Sequence, residues 1–518
     1  MPPPQPLPNS ADPTAAVRTR ACRRLKDKPG KIAAVPGTQR QRLLLAAIVV
    51  VGAAARLVTL GSQSFWFDEA QLAHEVGLPF SGLWHTIGAQ ETSPPLYFVV
   101  AWGWGQVFGA GEVGLRSLSA LLGIATIPLL YLCGRELVSP PAGLLAAAFG
   151  AASPFLIWYS QEAREYMLLI AVSALSLWGF ARVWNGAAGR RDLGLWAGAA
   201  SLALLTHFFA AFLIAPEAAL VLLRLRSRAG LAAVAVPAVT ALALLPLAVS
   251  DTSHPLGWLR AIPRTTRIQQ VPVAFALNTL DRTPIISWGL LATVVVLALV
   301  ILLLVGGAGP RELRGAGIAA GLAAVVILVP LVVALAGHDF YIVRALSPAW
   351  PPLAVVLGAA CTARRLRVLG ATLALVTLAA FGYAQARILS TTALQRPDWR
   401  AAARALGPPR VRRAIVAYDG SLAIDPLALY LPGVRWHGSA GSVRVSELDV
   451  ISGPSSTVGA LPRGIRLASR REVGGFAVTR LALPGPGLAA GQLGAQAAQF
   501  VAPAPADPAV LIQPAARR

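Results

Sequence analysis

From residue 43 onward apolar residues come in continuous runs of roughly 16 to 22, separated by short polar or basic loops. A helix rising ~1.5 Å per residue needs about that length to cross a hydrocarbon core of ~30 Å, and in lipid only helices and closed barrels satisfy their own backbone. These runs do not alternate as barrel strands do. They therefore predict helices, about eleven spans at 43–60, 115–133, 141–159, 166–184, 193–206, 208–223, 230–249, 284–305, 316–337, 346–362 and 368–384. The stretch 94–109, PPLYFVVAWGWGQVFG, is apolar too, but short and rich in Trp and Gly. Beyond Tyr383 the pattern changes to polar residues, prolines and short strand-like runs such as AIVAYDG, ELDVIS and GGFAVTRLAL. The expected fold is an all-α polytopic membrane protein with a small C-terminal α/β domain. Its parts are a disordered basic tail over 1–42, a membrane region over 43–384, and a final domain over 385–518 with a Pro/Ala-rich tail.

Composition agrees: 56% of residues are hydrophobic and only 13% charged, far from the balance of a soluble domain. The net charge of +22 raises the question of nucleic acid, but the basic residues lie in the first 42 positions and in short loops between apolar runs. That is the positive-inside distribution of a membrane protein, so no nucleic-acid partner is expected and membrane lipids are. The same charges orient the chain. If 94–109 lies flat at the outer interface, the loops bearing Arg190 and Arg191, Arg224, Arg226 and Arg228, Arg311 and Arg314, and Arg364, Arg365 and Arg367 all face the cytoplasm with the N-terminus. Residues 61–114 then form one long external loop without a Lys or Arg, and the C-terminal domain is external. Cys22, Cys133 and Cys361 fall on or near the cytoplasmic side, where no disulfide is expected. The first apolar run is expected to stay as an anchor, because the preceding 42 residues are too long for a cleaved signal.

Three external stretches hold polar residues in a chain that otherwise avoids them. In SFWFDEAQLAHEV the adjacent acids Asp68 and Glu69 sit among aromatics, either as a favourable first turn of a helix or as a general base and metal ligand at the membrane surface. SPFLIWYSQEAREYMLL packs Gln161, Glu162, Arg164, Glu165 and Tyr166 between apolar segments, where charges pair with one another or mark a substrate path. GHDFYIVRALSPAW carries His338, Asp339, Tyr341 and Arg344. An external Arg there departs from the positive-inside bias and suits either lipid headgroups or an anionic ligand. His207 in LLTHFFA and Tyr97 in the first loop complete the polar candidates. No P-loop, CxxC pair or HExxH occurs, so nothing points to a nucleotide, a zinc site or a redox cofactor.

FWFDEA, SPPLYFVVAWGWGQVFGAGEVGLRSLSALLG, SPFLIWYSQEAREYMLL, LLTHFFA, FYIVRALSPAWPPL and PDWRAAARAL, in that order, resemble the C-type (GT-C) membrane glycosyltransferases of the family 39-like group, relatives of protein O-mannosyltransferases and of the aminoarabinose transferase of lipid A. The resemblance covers about 55–400. It implies a first external loop with juxtamembrane helices, and transfer of a sugar from a polyprenyl-phosphate carrier to a glycan, lipid or protein acceptor outside the cell. It places the catalytic acid on Asp68 with Glu69 beside it, the second acidic position on Glu162 or Glu165, and the phosphate contact on Arg344 or Arg164, near Tyr341. Relatives often carry His or Lys before the PPLY-like segment; this chain has Ser93, so Glu91 or His85 is the substitute there. A divalent cation is a candidate cofactor, with Asp68, Glu162 and Glu91 as its ligands. The expected reaction is an inverting displacement with Asp68 as base. The rival from another class is a transporter or lipid flippase, which would carry its charges at mid-depth and often in repeated halves.

Overall fold

The computed structural model describes residues 38–89, 93–186, 189–252, 259, 262–278, 285–417, 423–436, 444–484, 500–502 and 509–515. All eleven expected spans fall on helices. Among the described residues seven helices are long and apolar enough to cross a bilayer, or eight if one bent pair is a single span. Three expected spans fall short of that standard. Helix α1 (Gln39–Leu57) carries Arg40, Arg42 and Arg56, the helix over Arg190–Thr206 has 17 residues, and the described apolar part of Ile285–Gly307 begins at Leu291.

Helix α1 starts at Gln39, earlier than the expected 43, because Thr38 and Gln41 close a reciprocal cap in which each side chain accepts from the other's backbone N–H. Residues 1–37 of the expected tail lie outside the described residues. The first loop then folds into α2 (Phe67–Val76), α3 (Phe80–Ala89) and α4 (Leu96–Phe108). Helix α4 contains 94–109 almost entirely; its 13 residues reach only ~20 Å, short of one straight crossing.

Helix α5 (Glu112–Leu137) packs against α6 (Pro140–Ala152) so closely that a Cβ on Gly143 would collide with the Tyr131 carbonyl. Ser153 and Pro154 then bend the chain by 59° into the short helix α7 (Pro154–Ser160). Proline has no N–H to continue the ladder, and the Ser153 hydroxyl caps the new helix at Leu156. The bend delivers residues 161–165 as a tight turn before α8 (Tyr166–Trp184). Arg56 fixes this break from α1. Its guanidinium donates to the carbonyls of Gly150 and Ala151 at 2.9 and 3.1 Å and to Ser160 Oγ at 3.0 Å. Gly123 of α5 leaves the room, since a Cβ there would strike Ser160 and Arg56.

The last long helix, Arg367–Ser390, runs six residues past the expected boundary at 384. Beyond it, β1 (Arg413–Ala417), β3 (Glu447–Ser452) and β6 (Phe476–Ala482) match the three strand-like runs. With β2 (Arg435–Trp436), β5 (Arg466–Val473) and β8 (Ala509–Gln513) they form a six-stranded sheet ordered β2-β8-β1-β3-β6-β5, in which β1 and β3 run parallel and the other neighbours antiparallel, while β4 (Thr457–Val458) and β7 (Val501–Ala502) pair separately. Side chains alternate across it. Ile415, Ala417 and Ile451 bury one face, against Trp399 and Leu406 of a short helix Trp399–Leu406; Ala414, Val416 and Val450 bury the other. The architecture is thus a helical membrane region joined to a small α/β domain.

Candidate active site

Asp68 and Glu69 open α2, and their neighbours divide them. Glu69 is fully buried and grips Arg116 of α5 through a fork: Nε to Oε1 at 2.7 Å and Nη2 to Oε2 at 2.6 Å. The remaining donors of Arg116 go to the carbonyls of Leu60, Gln63 and Ser64, so one guanidinium gathers the loop leading into α2. Glu69 Oε1 also accepts the Ala163 N–H at 2.8 Å, which ties the first loop to the 161–165 turn. Burial raises the Glu69 carboxyl, but Arg116 overrides it and the group lies below its ordinary range.

Asp68 turns the other way. Its carboxylate stands 3.5 Å from Arg344 Nη1, and its side chain is 13% exposed. Burial holds its carboxyl above the ordinary aspartate value, against the lowering pull of Arg164 and Arg344. Arg344 lies in a 3-10 turn, Val343–Ala349, with Trp66 and Tyr166 rings at 6.0 and 5.7 Å from its guanidinium carbon. It also lines a cavity of about 550 Å³ whose walls include Trp66, Phe155, Trp158 and Tyr159.

Also lining the cavity, Glu162 pairs with Arg396 at 2.6 Å, and the Arg396 guanidinium lies 4.0 Å from the Trp158 ring. Burial raises the Glu162 carboxyl despite that partner. Next in the turn, Arg164 and Glu165 pair at 3.0 Å, Arg164 lies over Phe98, and Ser93 donates to Glu165 at 3.2 Å. A third guanidinium on the cavity wall, Arg267, forks onto Asp339 at 2.6 and 2.9 Å and donates to the Tyr341 carbonyl at 2.9 Å. Asp339 is held down to about 2, chiefly by that bond to Arg267.

The structure thus brings together the three stretches singled out from sequence. It separates some of their residues from the cavity. Tyr341 is buried at 2% and meets Arg267 through its backbone, while Ile342, Val343 and Arg344 face the space. Tyr97 is buried beside Phe98. His207 takes the Phe209 N–H on Nδ1 at 3.1 Å and packs by Tyr166. His85 is exposed on α3, and Glu91 lies outside the described residues. Arg116, Arg267 and Arg396 were not anticipated. Arg116 stands inside a motif quoted above and Arg396 immediately precedes another, so position was the available signal.

Residues 92–250 match the family model described as dolichyl-phosphate-mannose-protein mannosyltransferase. The resemblance read from the motifs is borne out. The matched segment contains the 161–165 turn and Arg116, and Asp68 lies before it. No curated protein matches the chain. Among solved structures, the chain is similar at 13% identity and a TM-score of 0.46 to ArnT from Cupriavidus metallidurans bound to undecaprenyl phosphate, covering 86% of this chain and 98% of that one. It is similar at 20% identity and a TM-score of 0.34 to the Saccharomyces cerevisiae protein O-mannosyltransferase Pmt1-Pmt2 complex bound to the sugar donor, over 42% of this chain and 35% of that one. For the Archaeoglobus fulgidus oligosaccharyltransferase tethered with an acceptor peptide, identity is 13%, the TM-score 0.43 and the coverage 71% and 57%.

Proposed function

We propose that the protein is a membrane glycosyltransferase that moves a sugar from a polyprenyl-phosphate donor to an acceptor hydroxyl on the external face. The observation that carries this reading is the contact of Asp68 with Arg344, which itself lines an aromatic-walled cavity. A carboxylate able to take a proton stands beside a guanidinium able to hold a phosphate, and both belong to stretches far apart in sequence. The family model over 92–250 supports the same chemistry.

In this reading the donor phosphate lies against Arg344, its sugar in the cavity and its lipid tail toward the bilayer. The acceptor oxygen attacks the anomeric carbon from the face opposite the phosphate while Asp68 takes its proton. The bond from that carbon to the phosphate oxygen breaks, its electrons leave with the phosphate, and configuration inverts. The raised carboxyl of Asp68 makes it a stronger proton acceptor than an ordinary aspartate. Arg344 offsets the charge gathering on the departing phosphate.

A divalent cation fits this donor set poorly. Among the described residues no three His, Cys, Asp or Glu side chains cluster as metal ligands do. Asp68 and Glu162 are each already matched by a guanidinium, at 3.5 and 2.6 Å.

The test is purified protein in liposomes, supplied with radiolabelled polyprenyl-phosphate sugar and a cell-envelope extract as acceptor. Label should leave the lipid for the extract, and Asp68→Asn should slow the transfer about 10²- to 10⁴-fold. Lipid crossing the bilayer with its sugar still attached would instead establish the flippase.

A further inference from the structure

The membrane region and the C-terminal domain meet over the loop that leads to Asp68, and Tyr430 belongs to both sides of the joint. It ends the short helix Ile424–Tyr430 and packs against the apolar cores of the membrane region and of the C-terminal domain. Its hydroxyl accepts the Phe65 N–H at 2.8 Å and donates to Glu112 Oε1 at 2.8 Å. A phenol has one proton to give, and Glu112 takes it, so the lone pair facing Phe65 is fixed in direction. Arg400 completes the joint. It pairs with Glu112 at 3.2 Å and donates to the Ser62 and Gly61 carbonyls at 3.1 and 3.4 Å.

The segment 60–66 is therefore held from two directions. From within the bundle Arg116 collects the carbonyls of Leu60, Gln63 and Ser64. From the C-terminal domain Tyr430 takes the one N–H of Phe65, and Arg400 takes the carbonyls before it. Phe65 itself is buried under the Arg116 guanidinium, 5.1 Å from its ring. Three residues on lies Asp68, whose contact with Arg344 spans 3.5 Å, so a small shift of the segment breaks it.

We propose that Tyr430, with Glu112 and Arg400, is a positioning latch through which the C-terminal domain sets the place of Asp68. The domain is then a working part of the active site. The proposal rests on the reading of Asp68 as the base.

The experiment compares Tyr430→Phe with wild type and with Asp68→Asn in the liposome assay, and adds amide hydrogen exchange of the full-length protein. Phenylalanine keeps the ring packing and removes only the hydroxyl. We expect kcat to fall about tenfold with donor KM unchanged, the scale one hydrogen bond supports. The acid limb of the rate should move to higher pH as Asp68 draws away from Arg344. Exchange over 60–66 should quicken about tenfold, with the C-terminal sheet unaltered. A merely structural contact would change yield and leave kcat, KM and the pH limb of the folded fraction alone.

Should Tyr430→Phe not fold, Arg400→Ala reads the same latch, with the same directions expected in kcat and in exchange over 60–66. If Asp68→Asn keeps turnover, the base reading falls. If Asp68→Asn is inactive while the latch variant matches wild type in kcat and exchange, the latch falls and the base reading stands.

Discussion

Glu69 and Arg116 meet through two parallel bonds of 2.6 and 2.7 Å, and this fork decides what the two adjacent acids of the first loop do. Glu69 is engaged in structure, accepting from the Arg116 guanidinium and from the Ala163 and Trp66 N–H groups. Asp68, one residue earlier, is left to Arg344, which lines the cavity. Exchanging the two roles would require turning α2 by ~100°, one residue's rotation, which the Arg116 bonds to the preceding carbonyls forbid.

Isosteric amides should therefore separate the pair. Asp68→Asn removes a proton acceptor and should lower turnover about 10²- to 10⁴-fold while the protein remains folded. Glu69→Gln removes the countercharge from a buried guanidinium. It should cost stability on the scale of breaking a buried ion pair, roughly 3–5 kcal/mol. Thermal unfolding in detergent alongside turnover checks both; equal unfolding temperatures for Glu69→Gln and wild type would refute the division.

The rate should depend on pH through Asp68. A general base works only when ionised, so activity is lost as pH falls through its pKa. Burial has raised that value, so the loss begins at higher pH than an ordinary aspartate would give. Arg344 works to lower it. Arg344→Ala should then carry the acid limb further upward and weaken donor use more than acceptor use, while Arg344→Lys retains the charge and moves the limb less. A limb at the same pH in all three proteins would remove Asp68 from the titration.

Asp339 should contribute to stability in acid. Its folded-state pKa is depressed to about 2 by Arg267, so its stabilising effect is complete above the ordinary carboxylate range. That effect is lost as pH falls from there through about 2. Asp339→Asn should lower the unfolding temperature at neutral pH and flatten its decline in acid. Parallel curves for variant and wild type would show that the Arg267 fork does not contribute.

Much of this architecture was legible from residue pattern. The apolar runs became helices because lipid leaves the backbone no alternative, and the short Trp- and Gly-rich segment proved too short to cross as one helix. Asp68, the 161–165 turn and Arg344 were found because charge is rare among such runs. Their partners were not, for a related reason. In a chain with 45 Lys and Arg, an arginine beside an apolar run reads as a topology signal, so Arg116 and Arg396 were hidden by their own abundance. Arg267 lies on a helix, Arg264–Leu277, interrupted by polar residues and Pro272, which periodicity does not distinguish from a loop. Tyr430 depends on how two domains meet, a relation that no local pattern contains.

Arg396 offers the last test, because it joins the linker before the C-terminal domain to the 161–165 turn. Its Nη2 lies 2.6 Å from Glu162 and its backbone N–H donates to Gln63, so one residue touches the turn and the loop leading to Asp68. Both members of the ion pair are about 95% buried, so neither can be left alone cheaply. Arg396→Ala should reduce turnover and destabilise the fold, while Arg396→Ala combined with Glu162→Gln should recover most of the stability by removing the orphaned charge. If the pair only holds the wall, turnover should recover with stability. If Arg396 also faces substrate in the cavity it lines, turnover of the double variant should stay low although its unfolding temperature has returned. Measuring both on the same preparations separates these outcomes. An Arg396→Ala protein with unchanged turnover and unfolding would show that the 2.6 Å contact has neither role.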